Sequence, residues 1–199
     1  MGTGFQLALH DLEIRGSGNL LGAEQSGHLN TIGFDLYCQL LKQEIALLSG
    51  QKHELLPEAE VGIDFISYAL RNETPGVLCC NIPPEYISSE RLRFDAYRKL
   101  GNLQSEEELD DFALELRDRY GVLPVSLKNL LKVTRLRILT ARADYRQLSV
   151  INGRVTLNNP GGTIYRLADG TAPRIDYRDA PELRLQHLIN IVKKAAQGR

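Results

Sequence analysis

Five basic residues recur at helical spacing in the second half of the chain. Lys128, Lys132, Arg135, Arg142 and Arg146 follow one another at intervals of 4, 3, 7 and 4 positions, so a helix would present them as one continuous stripe. Lysine and arginine aligned in this way can dock an acidic partner or form a weak phosphate-binding face. This basic stripe is our first candidate for a functional surface.

The predicted helix before the stripe carries the opposite charge. Two neighbouring helices of opposite charge can instead exchange exposed salt bridges, each contributing under about 1 kcal/mol, or simply present solvated faces. The sequence leaves this structural interpretation open beside the docking one. The acidic residues are Glu106, Glu107, Glu108, Asp110, Asp111, Glu115 and Asp118.

Other patterns that carry chemistry are missing from the sequence. Gly16 and Gly18 with Gly22 partly imitate a dinucleotide-binding turn, but Leu21 stands where the third glycine belongs. The sequence has no phosphate-binding loop, no nucleophile elbow, and no histidine at metal-ligand spacing to another histidine or a cysteine. We therefore expect no catalytic residue, no metal site and no bound cofactor in this chain itself.

Composition excludes several further classes of protein. The 199 residues are 43% hydrophobic and 25% charged, which is typical of a globular chain, and the net charge of −1 gives no overall attraction to nucleic acid. No apolar run approaches the ~20 residues that a membrane span needs, and the N-terminus does not resemble a signal peptide. Three cysteines, an odd number, indicate reduced thiols, so we predict a cytoplasmic protein without a membrane partner.

The chain divides into two parts. Residues 1–50 predict a helical, hairpin-like segment broken at Gly16 to Gly18, residues 51–59 lack any period and predict a linker, and residues 60–199 predict a compact domain. In that domain we expect strands and helices in the order β-β-α-α-α-β-β-β-β-α, which is typical of an α+β fold. We predict a mostly antiparallel sheet and about four helices.

Local signals fix several element boundaries in that domain. Ser88 or Ser89 can cap the first helix, and Ser105 with Glu108 forms a capping box for the second. Asn152-Gly153 between two alternating runs predicts a type I′ hairpin. The predicted strands cover residues 61–65, 77–82, 148–151, 154–157, 163–167 and 174–177, and the predicted helices after the second end near residues 144 and 197.

One long motif resembles a known family. Residues 10–27 read HDLEIRGSGNLLGAEQSG and closely resemble the translocation motif of bacterial transcription-repair coupling factors (Mfd), which the RecG branch-migration helicases share in looser form. The stretch TIGFDLY over residues 31–37 is similar to its continuation in the coupling factors. Further on, ELRDRYGVLP over residues 115–124 and LLKVTRLR over residues 130–137 resemble the C-terminal domain of that family.

The resemblance implies a function for the parent of this chain. Members of the family are ATP-driven translocases on double-stranded DNA, with ATP and Mg²⁺ in the motor, that remove stalled RNA polymerase and recruit the excision-repair protein UvrA. Their C-terminal domain packs against a UvrB-like module of the same chain and restrains activity. By this resemblance the chain is a fragment that opens inside the tail of a motor domain and is not itself an enzyme. A free-standing protein-interaction module without a motor remains the alternative.

The resemblance also implies two coupling residues. Arg15 matches the arginine of the family motif and Gln25 its glutamine, while Gly16 and Gly18 give the backbone freedom to reorient beside the arginine. An arginine can make paired hydrogen bonds to a carboxylate or a phosphate, and a glutamine can pass a hydrogen bond from a helix end to a neighbouring domain. Purely structural roles for both residues, with Arg15 holding a hairpin together through a nearby glutamate, stay open.

Overall fold

The computed structural model of the chain describes residues 59–70 and 74–197. The predicted segment over residues 1–50 and the linker as far as residue 58 lie outside the described residues. Within the described part, five strands and four helices confirm the α+β class and the predicted number of helices. They are β1 (Glu60–Ile63), β2 (Ile66–Ser67), β3 (Leu78–Cys79), α1 (Glu90–Asn102), α2 (Glu106–Tyr120), α3 (Val125–Arg142), β4 (Gln147–Ile151), β5 (Arg154–Asn158) and α4 (Pro181–Gln197).

The main sheet is mixed, so the prediction of a mostly antiparallel sheet is wrong. β1 pairs in parallel with β4, β4 pairs antiparallel with β5, and β2 and β3 form a separate parallel pair. The chain between β1 and β4 passes through three helices, and a connection of that length can return a strand in the same direction. Hydrophobic alternation indicates a strand but carries no information about the direction of its partner.

The last two predicted strands do not form as strands, although the structure describes their residues. Residues 163–167 and 174–177 each contribute one isolated antiparallel bridge to β5, with Ile164 opposite Asn158 and Arg174 opposite Arg154. The turns that the sequence indicated are present at residues 160–162 and 168–170. They interrupt these segments before either can extend into a ladder.

The helix starts confirm the predicted caps. The hydroxyl of Ser89 accepts a hydrogen bond from the N–H of Leu92 (3.4 Å) at the start of α1, and that of Ser105 accepts one from Glu108 (3.1 Å) at the start of α2. The Glu108 carboxylate accepts from the N–H of Gln104 (2.8 Å), one residue before the position of an ideal capping box. These bonds satisfy backbone donors that the first helical turn leaves without partners.

Helix α3 forms the centre of the hydrophobic core. It packs against α2 and α4 and against β1, β3 and β4. Apolar residues lie on most of its circumference, as expected of a helix with neighbours on several sides. Burial of each large aliphatic side chain contributes about 1.5–3 kcal/mol relative to exposure. The buried apolar residues of this helix are Leu127, Leu130, Val133, Leu136 and Ile138.

One charged side chain, Arg184 of α4, is buried with only 7% of the residue exposed. Its guanidinium donates to the carbonyl oxygens of Tyr177 (2.6 Å), Asp179 (2.8 Å) and Gly76 (3.2 Å). It also lies over the rings of Tyr177 and Phe65, at 4.6 and 5.7 Å from their centroids. Main-chain carbonyls and aromatic faces therefore compensate the buried charge and join chain segments that are far apart in sequence.

The turn between β4 and β5 is the predicted type I′ turn. Asn152 and Gly153 have φ values of 49° and 76°, the two positive angles that this turn requires. The N–H of Ile175 donates to the carbonyl of Gly153 (2.8 Å), and a Cβ on Gly153 would stand only 2.5 Å from the carbonyl oxygen of Ile175. Both the backbone angle and the close approach of a second segment therefore require glycine here.

We expect Gly153→Ala to destabilise the domain by about 2–4 kcal/mol, because it adds a steric clash to a strained backbone angle. Gly162→Ala is the matched control, since Gly162 has a φ of 77° but no atom within 4 Å of an added Cβ. That control should lose only the strain, about 1–2 kcal/mol. Urea unfolding followed by circular dichroism measures both losses. Equal losses would contradict the close-packing role assigned to Gly153.

Candidate functional site

The predicted coupling residues lie in the N-terminal segment. Arg15, Gly16, Gly18 and Gln25 fall outside the described residues, so their assignment stays a prediction. The basic stripe can be located. Four of its members lie on α3, and Arg146 lies beyond the end of that helix, where the positive φ of Asp144 (58°) turns the chain toward β4. The stripe is therefore continuous on the helix only as far as Arg142.

Part of the stripe faces the acidic helix. Arg135 is half-buried between Glu106 and Asp110 of α2, with its Nε 3.3 Å from a Glu106 carboxylate oxygen and its Nη2 bonded to Asp110. The pKa of Glu107 on α2 is lowered. The causes are hydrogen bonds from its own backbone N–H and from the Ser105 hydroxyl, together with the positive charge of Arg142. The charge of Arg135 is thus satisfied within the domain, whereas Arg142 is exposed and acts on Glu107 only through its charge.

Three other members of the stripe have no such partner. Lys128 and Arg146 are exposed and Lys132 is half-buried. Within residues 59–70 and 74–197, none of the three has a carboxylate at ion-pair distance. The backbone of Arg146 is held by Glu60 and Asn158, which fixes its position beside the main sheet. Together with the exposed Arg142, these three cations are the part of the stripe that remains available to a partner.

A groove between α1 and α2 is a second candidate that the sequence did not reveal. It has a volume of about 800 Å³ and charges of both signs along its walls. Inside it, the Lys99 ammonium lies 4.9 Å from the centre of the Phe112 ring and forms an ion pair with Glu115. It is lined by Asp95, Arg98, Lys99, Asn102, Leu103, Glu108, Asp111, Phe112 and Glu115.

The ion pairs of this groove indicate binding or structural chemistry rather than catalysis. Asp95 pairs with Arg98 (3.0 Å), and Glu115 is shared by Lys99 and Arg119, the latter at 3.4 Å. Hydrogen bonds from Lys99 and Arg119 lower the pKa of Glu115, so this carboxylate is ionised at neutral pH. A general acid or base needs the opposite arrangement, with a pKa moved toward neutrality. The sequence indicated the charged side chains of these helices but not which helix faces meet in the groove.

Other features of the described residues concern a buried thiol, metal ligands and membrane spans. Burial raises the pKa of the Cys80 thiol to about 12, which keeps it a small apolar core residue. In the same part of the chain, no group of three or more potential metal ligands comes together, and no helix is long and apolar enough to cross a membrane. The candidate site is therefore a charged surface shared by α1, α2 and α3.

Comparison with known proteins finds similarity to transcription-repair-coupling factors. A protein-family model described as TRCF domain matches residues 78–163. The chain is 38% identical over 167 residues to the transcription-repair-coupling factor of Haemophilus influenzae, which covers 82% of this chain and 13% of that protein. It is 32% identical over 216 aligned positions to the transcription-repair-coupling factor of Mycobacterium bovis, which covers 96% of this chain and 17% of that protein.

The relatives are much longer than this chain. The transcription-repair-coupling factor of Rickettsia typhi is 33% identical to this chain over 152 residues. The chain spans only 12–17% of the length of these curated relatives. A solved structure described as the crystal structure of the C-terminal domain of transcription-repair coupling factor covers 70% of this chain and 97% of its own. Its sequence identity is 12% and its TM-score is 0.42.

We expect the ion pairs of Glu115 to stabilise the domain at neutral pH and to be lost in acid. Because the folded-state pKa lies below the ordinary value of 4.5, the unfolded state binds more protons as the pH falls through that range, and stability falls with it. The contribution is under about 1 kcal/mol, since the side chains of Lys99 and Glu115 are 50% and 39% exposed.

Urea unfolding of the wild type and Glu115→Gln between about pH 6 and pH 3 tests this expectation. The two unfolding midpoints should differ at neutral pH and converge in acid. Asp118→Asn, which neutralises another carboxylate on the same helix, serves as the control. An unchanged difference across the pH range would contradict the assigned role of the Glu115 carboxylate.

Proposed function

Because the chain belongs to the transcription-repair-coupling factor family, we propose that it acts in transcription-coupled DNA repair as part of an ATP-driven translocase on double-stranded DNA. In this proposal the motor of the parent protein uses ATP and Mg²⁺, removes stalled RNA polymerase and recruits UvrA. Residues 1–50 couple the motor to movement along DNA. The domain that begins at residue 60 restrains the parent by packing against its UvrB-like module.

One observation carries this proposal: a segment that resembles the family's translocation motif and a match to the TRCF domain model occur in the same chain. The motif occupies residues 10–27 and the family model matches residues 78–163. The alignment with the Mycobacterium bovis protein covers 96% of the chain, so the similarity is not confined to the domain. A free-standing interaction module would have no use for the motif.

The proposed coupling role of the motif follows from its residue types. Arg15 stands beside Gly16 and Gly18, so its guanidinium can exchange one carboxylate or phosphate for another while the backbone changes conformation. Gln25 can donate and accept at the same time, which suits it to connect the motif to a neighbouring domain. In this proposal neither residue takes part in hydrolysis.

The proposed restraining role uses the part of the basic stripe that the domain leaves free. Arg135 is occupied by α2, whereas Lys128 and Lys132 have no carboxylate at ion-pair distance within the described residues. An acidic surface of the UvrB-like module could neutralise these lysines on docking. Screening by salt would then loosen the contact, which suits a restraint that must be released.

We expect Arg15→Ala in the full-length parent to separate ATP hydrolysis from movement. DNA-stimulated ATP turnover should persist, while displacement of a triplex-forming strand should fall by about tenfold or more, because the charged hydrogen bonds that transmit the conformational change are lost. Lys42→Ala, in the same segment but outside the motif, is the matched control and should leave both activities intact. If Arg15→Ala also leaves both intact, Arg15 is a structural residue and the proposed role is wrong.

A second variant addresses the restraint. Lys128→Glu with Lys132→Glu in the full-length parent should weaken docking of the domain and increase UvrA binding, measured by pull-down with purified UvrA. Lys193→Glu with Lys194→Glu makes the same charge change at exposed positions of α4 and should have no effect. Unchanged UvrA binding and unchanged DNA binding in the first variant would remove the basic stripe as a functional surface.

A further inference from the structure

Two arginines stand directly opposite each other on the outward face of the main sheet. Arg154 begins β5, and Arg174 bridges to it from the segment that follows. The bridge is flanked by hydrogen bonds from Val155 N–H to the Pro173 carbonyl (3.0 Å) and from Ile175 N–H to the Gly153 carbonyl (2.8 Å). This pattern defines a non-hydrogen-bonded antiparallel pair, the arrangement that brings side chains closest together.

The alternation of burial confirms which way the pair faces. Val155 and Ile175, the next residue in each segment, are buried at 1% and 5% exposure, so Arg154 and Arg174 project to the opposite face and are exposed. The backbone of Gly153 holds the two segments together, as described for the turn. Like charges held directly opposite each other on a sheet are destabilising, so the fold itself gains nothing from this pairing.

Neither guanidinium is compensated within the part of the chain that the structure describes. Among residues 59–70 and 74–197, no ion pair, hydrogen bond or ring contact involves the side chain of Arg154 or Arg174. Several other arginines of the domain have such partners, even where both groups are exposed. They include Arg98 with Asp95, Arg119 with Glu115, Arg135 with Glu106 and Asp110, and Arg178 with Asp176.

The residues at the centre of this face are small and mostly polar. Thr156 lies two residues from Arg154 on the same face, and the register places Ser149 beside Thr156 and Gly62 beside Ser149. Two acids lie near this face: Asp176, two residues after Arg174, is paired with Arg178, and Asp64 at the end of β1 accepts hydrogen bonds from the N–H of Asn152 (2.6 Å) and from the Tyr177 hydroxyl. Both carboxylates are therefore already occupied.

From this geometry we propose that Arg154 and Arg174 form an anion-binding site for the sugar–phosphate backbone of a nucleic acid. Two adjacent guanidiniums can bind the free oxygens of one phosphodiester through charge-assisted hydrogen bonds, which removes their mutual repulsion. The hydroxyls of Thr156 and Ser149 lie on the same face as further donors to phosphate and sugar oxygens. Because the site contacts only the backbone, it is independent of sequence.

A phosphodiester fits this face better than an acidic protein segment does. Protein interfaces depend on buried aromatic or aliphatic anchors in pockets, and this face has glycine, serine and threonine at its centre. Ile151, 55% exposed beside Arg154, and Ile164, 40% exposed opposite Asn158, are the large exposed aliphatic residues that the bridges of β5 place on this face, and they lie at separate positions rather than in one pocket. The proposal concerns the residues of this chain alone and does not depend on the motor activity proposed above.

The test is binding of the 199-residue chain to a fluorescein-labelled DNA duplex, followed by fluorescence anisotropy from about 20 to about 200 mM salt. Arg154→Gln with Arg174→Gln should weaken binding at low salt by about tenfold or more. It should also reduce the slope of log K against log salt by about 1, because the two arginines share one phosphate. Arg91→Gln with Lys194→Gln removes the same charge from exposed sites on α1 and α4 and should change neither quantity appreciably.

Thermal unfolding separates a binding role from a structural one. Removal of two like charges should leave the melting temperature of Arg154→Gln with Arg174→Gln unchanged or raise it. A marked fall would mean that the arginines stabilise the fold and would overturn the proposal. So would absence of duplex binding by the wild type at low salt, equal losses in the two double variants, or binding of polyglutamate but not of duplex through these arginines.

Discussion

The buried guanidinium of Arg184 is the interaction on which the arrangement of the sheet, the last helix and the connecting loops depends. A charge at this depth is tolerated only when its donors are satisfied, and here carbonyl oxygens of residues 76, 177 and 179 satisfy them. Those carbonyls can converge only if α4 and the two loops occupy these positions together. The Tyr177 ring that covers the guanidinium also reaches Asp64 through its hydroxyl, so the end of β1 and the hairpin turn are positioned by the same network.

The features that the sequence predicts correctly are those set by neighbouring residues. Caps at Ser89 and Ser105 and the turn at Asn152-Gly153 follow from local backbone needs, and all three occur where the pattern places them. The parallel pairing of β1 with β4 depends on what lies between them, and alternation cannot report it. The three carbonyl acceptors of Arg184 could not be predicted either, because every residue type carries a backbone carbonyl.

Charge is distributed unevenly over the helical surface. Facing positions of α2 and α3 neutralise each other around Arg135, and α1 joins α2 through Lys99 and Glu115. The sequence presented a basic stripe and an acidic helix, and it left open whether they dock a partner or pair with each other. The structure divides the basic stripe into a paired part and a free part, because only the residues that α2 can reach are neutralised. Of the candidate site, the sequence could therefore give the residue types but not which of them remain available.

The parallel partnership of β1 has a consequence for how the chain is made. Synthesis proceeds from the N-terminus, so β1 leaves the ribosome well before β4, and three helices must emerge in the interval. Val61 and Ile63, both buried in the finished domain, must wait without their strand partner during that time. Closure of so long a loop is slow compared with formation of a helix. The domain therefore completes its main sheet late in biosynthesis, once β4 has left the ribosome and can pair with β1.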